Sequence, residues 1–398
     1  MTTEPTFGDR LRHLRERRGL SRETFGGLVG RSGEWVKAVE RGRIHMPRVP
    51  MLLRIAEVLR VNDLSDLTGG QQLPVEAFSK GSHDRTPAVA DAMLGAAPGT
   101  DVEPDLPALT GRIDDAWRRW VTLPDQKSPV ADVLSGLLAE ARAAVRALDG
   151  TDRRRALAEL ARVYSLAQCF LAWQPAAELV WLAADRAMGA AQDADDPLAM
   201  GAAAWYYGEV YRSSGQAERA LSVALDAAEL LDPAADTEQR ARWGHLHLSA
   251  ALSQAQAGRS GDAWRHWDQA SEAADALGPR YVHPWLRFGR ADVDGYALRL
   301  DVRLFRPGDA VRRADRLDLS TLPGPGKRAM RLLDVAEAHQ QRAEPASVLH
   351  MIGKAHRESA ETVRFNLFAR QALTELSERR SAVRQDARDL AAQIGLAG

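Results

Sequence analysis

The chain has 398 residues, 45% of them hydrophobic and 27% charged, with a formal net charge of −1. That length allows two or three domains of about 150 residues, and the composition excludes a disordered or fibrous chain in favour of one that buries a core. A single cysteine, Cys169, excludes an internal disulfide framework and, in the apolar string YSLAQCFLAW, reads as a buried inert thiol. Charge is unevenly placed: residues 1–70 hold thirteen Lys and Arg against nine Asp and Glu, and the remainder 40 against 45. A basic head on an acidic body suits a head that meets a polyanion.

Arg10, Arg12 and Arg15 are followed by no apolar region, so no secretory signal is read. The most apolar stretch, 163–182, is interrupted by Gln168, Gln174, Pro175 and Glu178, short of the about 20 apolar residues a membrane helix needs. A soluble, cytoplasmic protein without a membrane partner is expected.

The head begins with a helix over 7–18 that sets Phe7, Leu11 and Leu14 on one stripe. Ser21 then caps a helix to about Leu28, with Glu23 in its first turn, and Gly30 breaks the chain. Ser32 caps a further helix to about Arg41, and Gly42 ends it. At about 100° per residue, Val36, Val39 and the methylenes of Glu40 share one side of this helix. Glu34, Lys37, Ala38 and Arg41 fall within roughly 100° of arc on the other. An apolar back and a charged, mostly basic front suit a groove lined with hydrogen-bonding edges. The Pro-marked turn RIHMPRVP leads to a fourth helix over 49–60, with Leu52, Leu53, Ile55, Ala56 and Leu59 inward, and LSDLTG adds a last helical turn.

From 71 to 109 the sequence reads as a linker rich in Gly, Pro, Asp and Ser, with one short helix at 87–94. Residues 110–398 read as helical throughout, with an internal period. Ala177, Ala220 and Ala263 recur at a step of 43, as do Ala184, Ala227 and Ala270, and Ala172, Gly215 and Gly258. Small residues at these places let the two helices of a hairpin close on each other. Beyond Gly278 three further pairs are expected, 284–304 with 307–317, 327–342 with 345–359, and 362–378 with 380–394. No pair can bury its apolar face alone, so the pairs stack.

The strings LRERRGLSRE from Leu14, SGEWVKAVERG from Ser32, then Pro47 and LLRIAEVL from Leu52 resemble the XRE (Cro and phage-repressor) type of helix-turn-helix domain. The resemblance implies binding of double-stranded DNA, with the helix at 32–41 in the major groove. By position, Ser32, Gly33, Glu34, Trp35, Lys37 and Ala38 would face bases or the adjacent backbone. Gly33 and Ala38 offer bases no hydrogen bond, so reading falls on Glu34, to cytosine N4, and Lys37, to guanine. Arg22, Arg31, Arg41 and Arg43 are the implied phosphate contacts. The chain departs from the pattern at Arg31, where an apolar residue is usual, and at Gly26, where Ala is usual.

Gly208, Tyr211, Gly215, Ala220, Leu221 and Ala227 fill the spacing GxxYxxxGxxxxALxxxxxA, which resembles the tetratricopeptide (TPR) pattern. This resemblance implies an all-α fold, a five-helix head followed by an α-solenoid whose concave face is lined by the first helix of each pair. Carried over, it places Glu159, Arg162 and Cys169, then Trp205, Glu209 and Arg212, then His245 on that face. Glu159, Arg162, Trp205, Glu209, Arg212 and His245 would hold a peptide or small-molecule effector. Head, linker and body together resemble the effector-controlled regulators called RRNPP, in the branch abundant in actinobacteria. The expectation is a homodimeric, sequence-specific transcription regulator at the nucleoid. The other reading is a TPR signalling adaptor that binds a partner protein, with the head secondary.

No catalytic, metal or cofactor site is read. GPGKR at 324–328 lacks the Gly five residues before Gly326 and the Ser or Thr after Lys327 that a P-loop needs. His245 and His247 stand roughly 200° apart on a helix, and there is no HExxH and no Cys pair. An enzyme is not expected.

Overall fold

The computed structural model describes residues 5–44, 46–47, 49–59, 61, 65–69, 82–95, 104–378 and 381–396. Residues 71–81 and 96–103 of the expected linker, and the side chain of Leu53, lie outside them. Regular structure among the described residues is helical throughout, and no helix is long and apolar enough to cross a membrane.

The head contains α1 (Phe7–Arg17), α2 (Arg22–Leu28), α3 (Gly33–Glu40), α4 (Val49–Leu59) and α5 (Ser65–Thr68). Ser21 Oγ accepts from the Thr24 N–H and Ser32 Oγ from the Trp35 N–H, each satisfying an orphan donor of the helix it opens. Thr6 and Asp9 form a reciprocal capping box on α1. Leu11, Phe25, Val29, Val36, Val39, Ile55, Leu59 and Leu67 interlock as the core. Gly26 has a steric reason to differ from alanine. A Cβ there would lie 2.7 Å from the Arg31 carbonyl oxygen, so the α2–α3 turn can cross α2 only over a glycine.

The body stacks helix pairs. Its inner layer is α7 (Leu106–Thr122), α9 (Gly150–Leu171), α11 (Pro197–Ser213), α13 (Thr237–Gln256), α15 (Arg290–Arg303) and α17 (Pro325–Gln341). Against these pack α8 (Lys127–Ala147), α10 (Ala177–Asp193), α12 (Ala217–Ala228), α14 (Ser260–Leu277), α16 (Pro307–Ala314) and α18 (Pro345–Glu358). Successive inner helices touch, which is the solenoid arrangement. Seams lined by buried alanines, such as Ala183, Ala184 and Ala187 of α10 against α9, keep the helices close. The chain ends with α19 (Ala360–Phe365), α20 (Leu367–Glu378) and α21 (Arg384–Gln393), which share an apolar cluster with α17 and α18.

Ala184, Ala227 and Ala270 are buried alike, whereas the other two series of step 43 hold only from α11 onward. Gly215 and Gly258 occupy the same left-handed turn position, with φ of 79° and 80°, whereas Ala172 is a right-handed C-cap at φ −57°. Ala220 and Ala263 are buried but Ala177 is exposed at the start of α10. The cause is a longer exit from α9, in which the buried Gln174 accepts the His83 N–H through Oε1 at 2.7 Å.

That contact belongs to a second difference. The short helix expected within the linker is α6 (Thr86–Leu94), and it packs on the body. Its Val89 and Met93 are fully buried in the body core, and Arg142 of α8 donates to the carbonyls of Ala92 and Gly95. Among the described residues the packed body therefore includes this helix, from within the stretch read as linker.

The superhelix returns on itself. α17 touches α7, so the inner layer closes. At the closure, Glu361 accepts the Lys127 N–H (2.7 Å) and the Ser128 N–H (3.2 Å), capping the start of α8 from 233 and 234 residues away. Ser128 Oγ also donates to Glu361, and Ser359 Oγ donates to the Pro124 carbonyl.

Lys127 is wholly buried at this joint, with its ammonium 4.4 Å from the Trp173 ring centroid. Burial pulls its pKa down to about 8, against the partial support of Glu361. Below about pH 8 the folded protein must carry a desolvated charge; between about 8 and the ordinary lysine value the folded state sheds that proton while the unfolded chain keeps it. The penalty is thus relieved as pH rises. Lys127→Met is expected to stabilise the protein by about 1 kcal/mol or more at pH 7, with the advantage shrinking toward pH 10. Thermal unfolding of both proteins across pH 7–10 checks this; a constant difference contradicts it.

Candidate nucleic-acid interface and central chamber

α3 is held from behind by a buried charge cluster. Glu40 accepts from Arg15 Nε at 2.6 Å and from Arg22 Nε at 2.7 Å, with its own side chain only 1% exposed. Arg15 Nη1 also donates to the Leu20 carbonyl at 2.6 Å, so α1, α2 and α3 are tied at one point. The sequence placed the methylenes of Glu40 on the back of the helix; the structure puts the carboxylate there too. Arg22, expected on phosphate, has its Nε on Glu40 and remains one-third exposed.

The front carries the expected reading residues. Lys37 Nζ donates to both Glu34 carboxylate oxygens at 3.0 Å, and Arg31 lies 5.8 Å from the Trp35 ring centroid. Gly33 sits where a Cβ would press on the Glu23 side chain, 2.9 Å from its Oε1. Arg41, Gly42 and Arg43 are exposed, whereas Ala38, on the same front, is buried. The body covers it. A narrow cleft is lined by Glu34, Lys37, Ala38, Arg41 and Arg43 on one side and by Phe305, Pro307 and Gln341 on the other.

Residues 6–67 match a family model described as a helix-turn-helix domain. The head is a helix-turn-helix DNA-binding domain. No curated protein and no solved structure matches the chain. The match spans the helix-turn-helix domain alone, so the body has to be understood from its own geometry.

The inner layer surrounds a half-open central chamber of about 200 Å³. Aromatic rings from distant helices form its walls. Trp205 stacks on His245 with centroids 3.6 Å apart, Tyr296 meets Trp205 edge-on at 5.8 Å, and Trp117 lies 5.7 Å from Trp285. His245 is fully buried, and burial, reinforced by Lys327, pulls its pKa well below the ordinary value, so the ring is neutral. The Cys169 thiol also faces the chamber, and burial holds it protonated.

The opposite side is cationic. Lys327 pairs with Asp292 at 2.7 Å and Arg331 with Asp334 at 3.1 Å. Arg287 and Arg299 also line the space, and among the described residues their buried Nε atoms, like the Trp117 Nε1, have no hydrogen-bond partner. Buried donors left without acceptors are expensive, and these three belong to the walls of one chamber.

Of the residues expected to hold an effector, Trp205, Glu209 and His245 line this chamber. Arg212 lies behind it, 5.8 Å from the Trp205 ring centroid, and donates to Ser249 and Ser253. Burial lowers its pKa to about 10, so it stays a cation inside the wall. Glu159 and Arg162 pair with each other and with Thr110 and Asp114 of α7, behind the chamber wall rather than lining it. Arg162 and Arg242 lie 4.7 and 4.6 Å from the Trp285 ring centroid, bracing it. The wall residues missed from sequence, Trp117, Trp285, Tyr296, Arg299 and Lys327, come from segments with no shared period. Only the closure brings them together.

Proposed function

We propose that the chain is a sequence-specific transcriptional regulator that acts as a homodimer and is controlled by a small molecule held in the body. The observation that carries this reading is the union of a helix-turn-helix domain with a closed helical body whose chamber has donors awaiting acceptors. A half-open chamber of about 200 Å³ suits a compact ligand or a single anchoring side chain. Stacked aromatic walls favour a flat apolar part, and Arg287 and Arg299 favour a carboxylate. Two heads on one duplex would read half-sites about 34 Å apart or a multiple of that. No catalytic role is proposed.

Fluorescence anisotropy with genomic fragments against random DNA at about 150 mM salt tests the first part; equal affinity for both overturns it. Native mass spectrometry of freshly purified protein tests the rest, with a dimer carrying a small bound mass expected. Arg41→Ala is expected to weaken binding to all sequences alike and lower the salt slope by about 1. Lys37→Ala is expected to relax preference at one base pair, by about 1–3 kcal/mol. Competition among variant sites separates the two, and a uniform loss for Lys37→Ala contradicts its reading role.

A further inference from the structure

We propose that the body is an autoinhibitory clamp: it docks the reading face of α3 along three consecutive turns of the superhelix, so that this docked state and the DNA-bound state exclude each other. The inference rests on the helix-turn-helix domain binding DNA through α3, and adds how that face is controlled.

The turns after α11, α13 and α15 present Gly215, Gly258 and Phe305 at the same left-handed position, with φ of 79°, 80° and 57°. Each meets the head. A Cβ on Gly30, in the turn between α2 and α3, would lie 2.3 Å from the Gly215 carbonyl oxygen. Met51 of α4 reaches the same turn, its Cε 3.1 Å from where a Gly215 Cβ would be. At the next turn, a Cβ on Gly258 would lie 2.6 Å from the Cβ of Ser32, the residue that caps α3. At the third, Phe305 and Pro307 face Lys37, Ala38 and Arg41 across the cleft. The helix is therefore followed from its cap to its last turn. B-DNA needs the same side of the helix, in a groove about 12 Å wide, and the two cannot be accommodated together.

Phe305 supplies the second observation. A bulky residue at φ 57° is strained, and the two preceding turns use glycine there. Asp195, Arg287 and Ala343 share this backbone conformation, and of the four only Phe305 walls the cleft on α3. The chamber lies on the same helix: Tyr296 and Arg299 of α15 face the chamber, and Phe305 follows its end. An occupant that shifts α15 would move the turn that clamps α3. The fraction of protein in the open state then sets apparent DNA affinity.

The test uses the full chain with Cys169→Ala and spin labels at Glu57→Cys on α4 and Arg306→Cys beside the cleft, both exposed positions outside the reading face. Pulsed dipolar spectroscopy is expected to give one short distance without DNA and a longer one with DNA. DNA binding with the short distance retained overturns the proposal, as does a broad distribution before DNA is added. Gly258→Asn keeps the left-handed turn, which Asn tolerates, and pushes against Ser32; Phe305→Gly relieves the strain and removes the wall. Each is expected to lengthen the distance without DNA and to tighten DNA binding tenfold or more. A lengthened distance with unchanged affinity overturns inhibition while leaving DNA binding intact. Failure of every form, opened ones included, to bind any DNA overturns the DNA-binding reading instead.

Discussion

Glu40→Ala is expected to melt the helix-turn-helix domain while the body stays folded. The Glu40 carboxylate is the shared acceptor of Arg15 and Arg22, and the Arg15 side chain is only 7% exposed. Removing the carboxylate leaves a guanidinium buried without its counter-charge, a change that typically destabilises by about 3–5 kcal/mol. A domain of about 60 residues has little more stability than that to lose. Glu40→Gln keeps the shape and one acceptor, so it is expected to be milder, at about 1–3 kcal/mol. Hydrogen exchange resolves the two units: protection should collapse over residues 7–44 and persist over 106–378. Intact protection in α1 to α3 of Glu40→Ala would show that the cluster does not hold the domain together. DNA affinity should fall in parallel, although no atom of Glu40 faces the groove.

The second large effect is expected from Glu361→Ala, which should open the ring. Glu361 caps the first N–H groups of α8 and receives the Ser128 hydroxyl, so one carboxylate joins residues more than 230 apart in the chain. Charge-assisted hydrogen bonds of this kind are worth about 1.5–3 kcal/mol each, and the helix N-terminus adds its own attraction for the anion. A loss of about 2–4 kcal/mol at the joint should separate α17 from α7 without unfolding either, because each keeps its neighbours in the stack. Proteolysis within 122–127 and a larger radius of gyration by X-ray scattering are the expected signs. Any small molecule carried by the wild-type protein should be absent from the variant. Unchanged scattering together with retained ligand would mean that other contacts close the chamber. The same joint holds Lys127, so the pH dependence expected for that residue should vanish once the ring is open.

These expectations differ in how much of them can be read without the fold. Ser21 and Ser32 announce their helices locally, because a cap is a contact over three residues. Val36 and Val39 announce the back of α3 by spacing alone, and the Ala184, Ala227 and Ala270 step announces stacked pairs. Gly26 looks like a defect in the sequence. Its reason is the Arg31 carbonyl crossing 2.7 Å from where its Cβ would be. α6 shows the limit most clearly: its stripe of Val89 and Met93 is too short to tell a linker helix from a packed one, and only α8 supplies the answer. Arg22 and Arg162 carry charges that look available in the sequence and are taken by Glu40 and by Glu159 and Asp114 in the fold.

The sequence by itself determined the all-helical class, the helix-turn-helix domain with its basic front, and a body of stacked pairs. Those follow from periodicity, capping and turn chemistry, which act within a few turns of chain. Only the tertiary structure decided that the body closes, that rings and arginines from five inner helices share one chamber, and that α3 faces the superhelix. Periodicity says which face of a helix is apolar or charged, but not what will cover it. That depends on the small rotation each pair adds to the last, accumulated until α17 meets α7 and three turns line up under one helix.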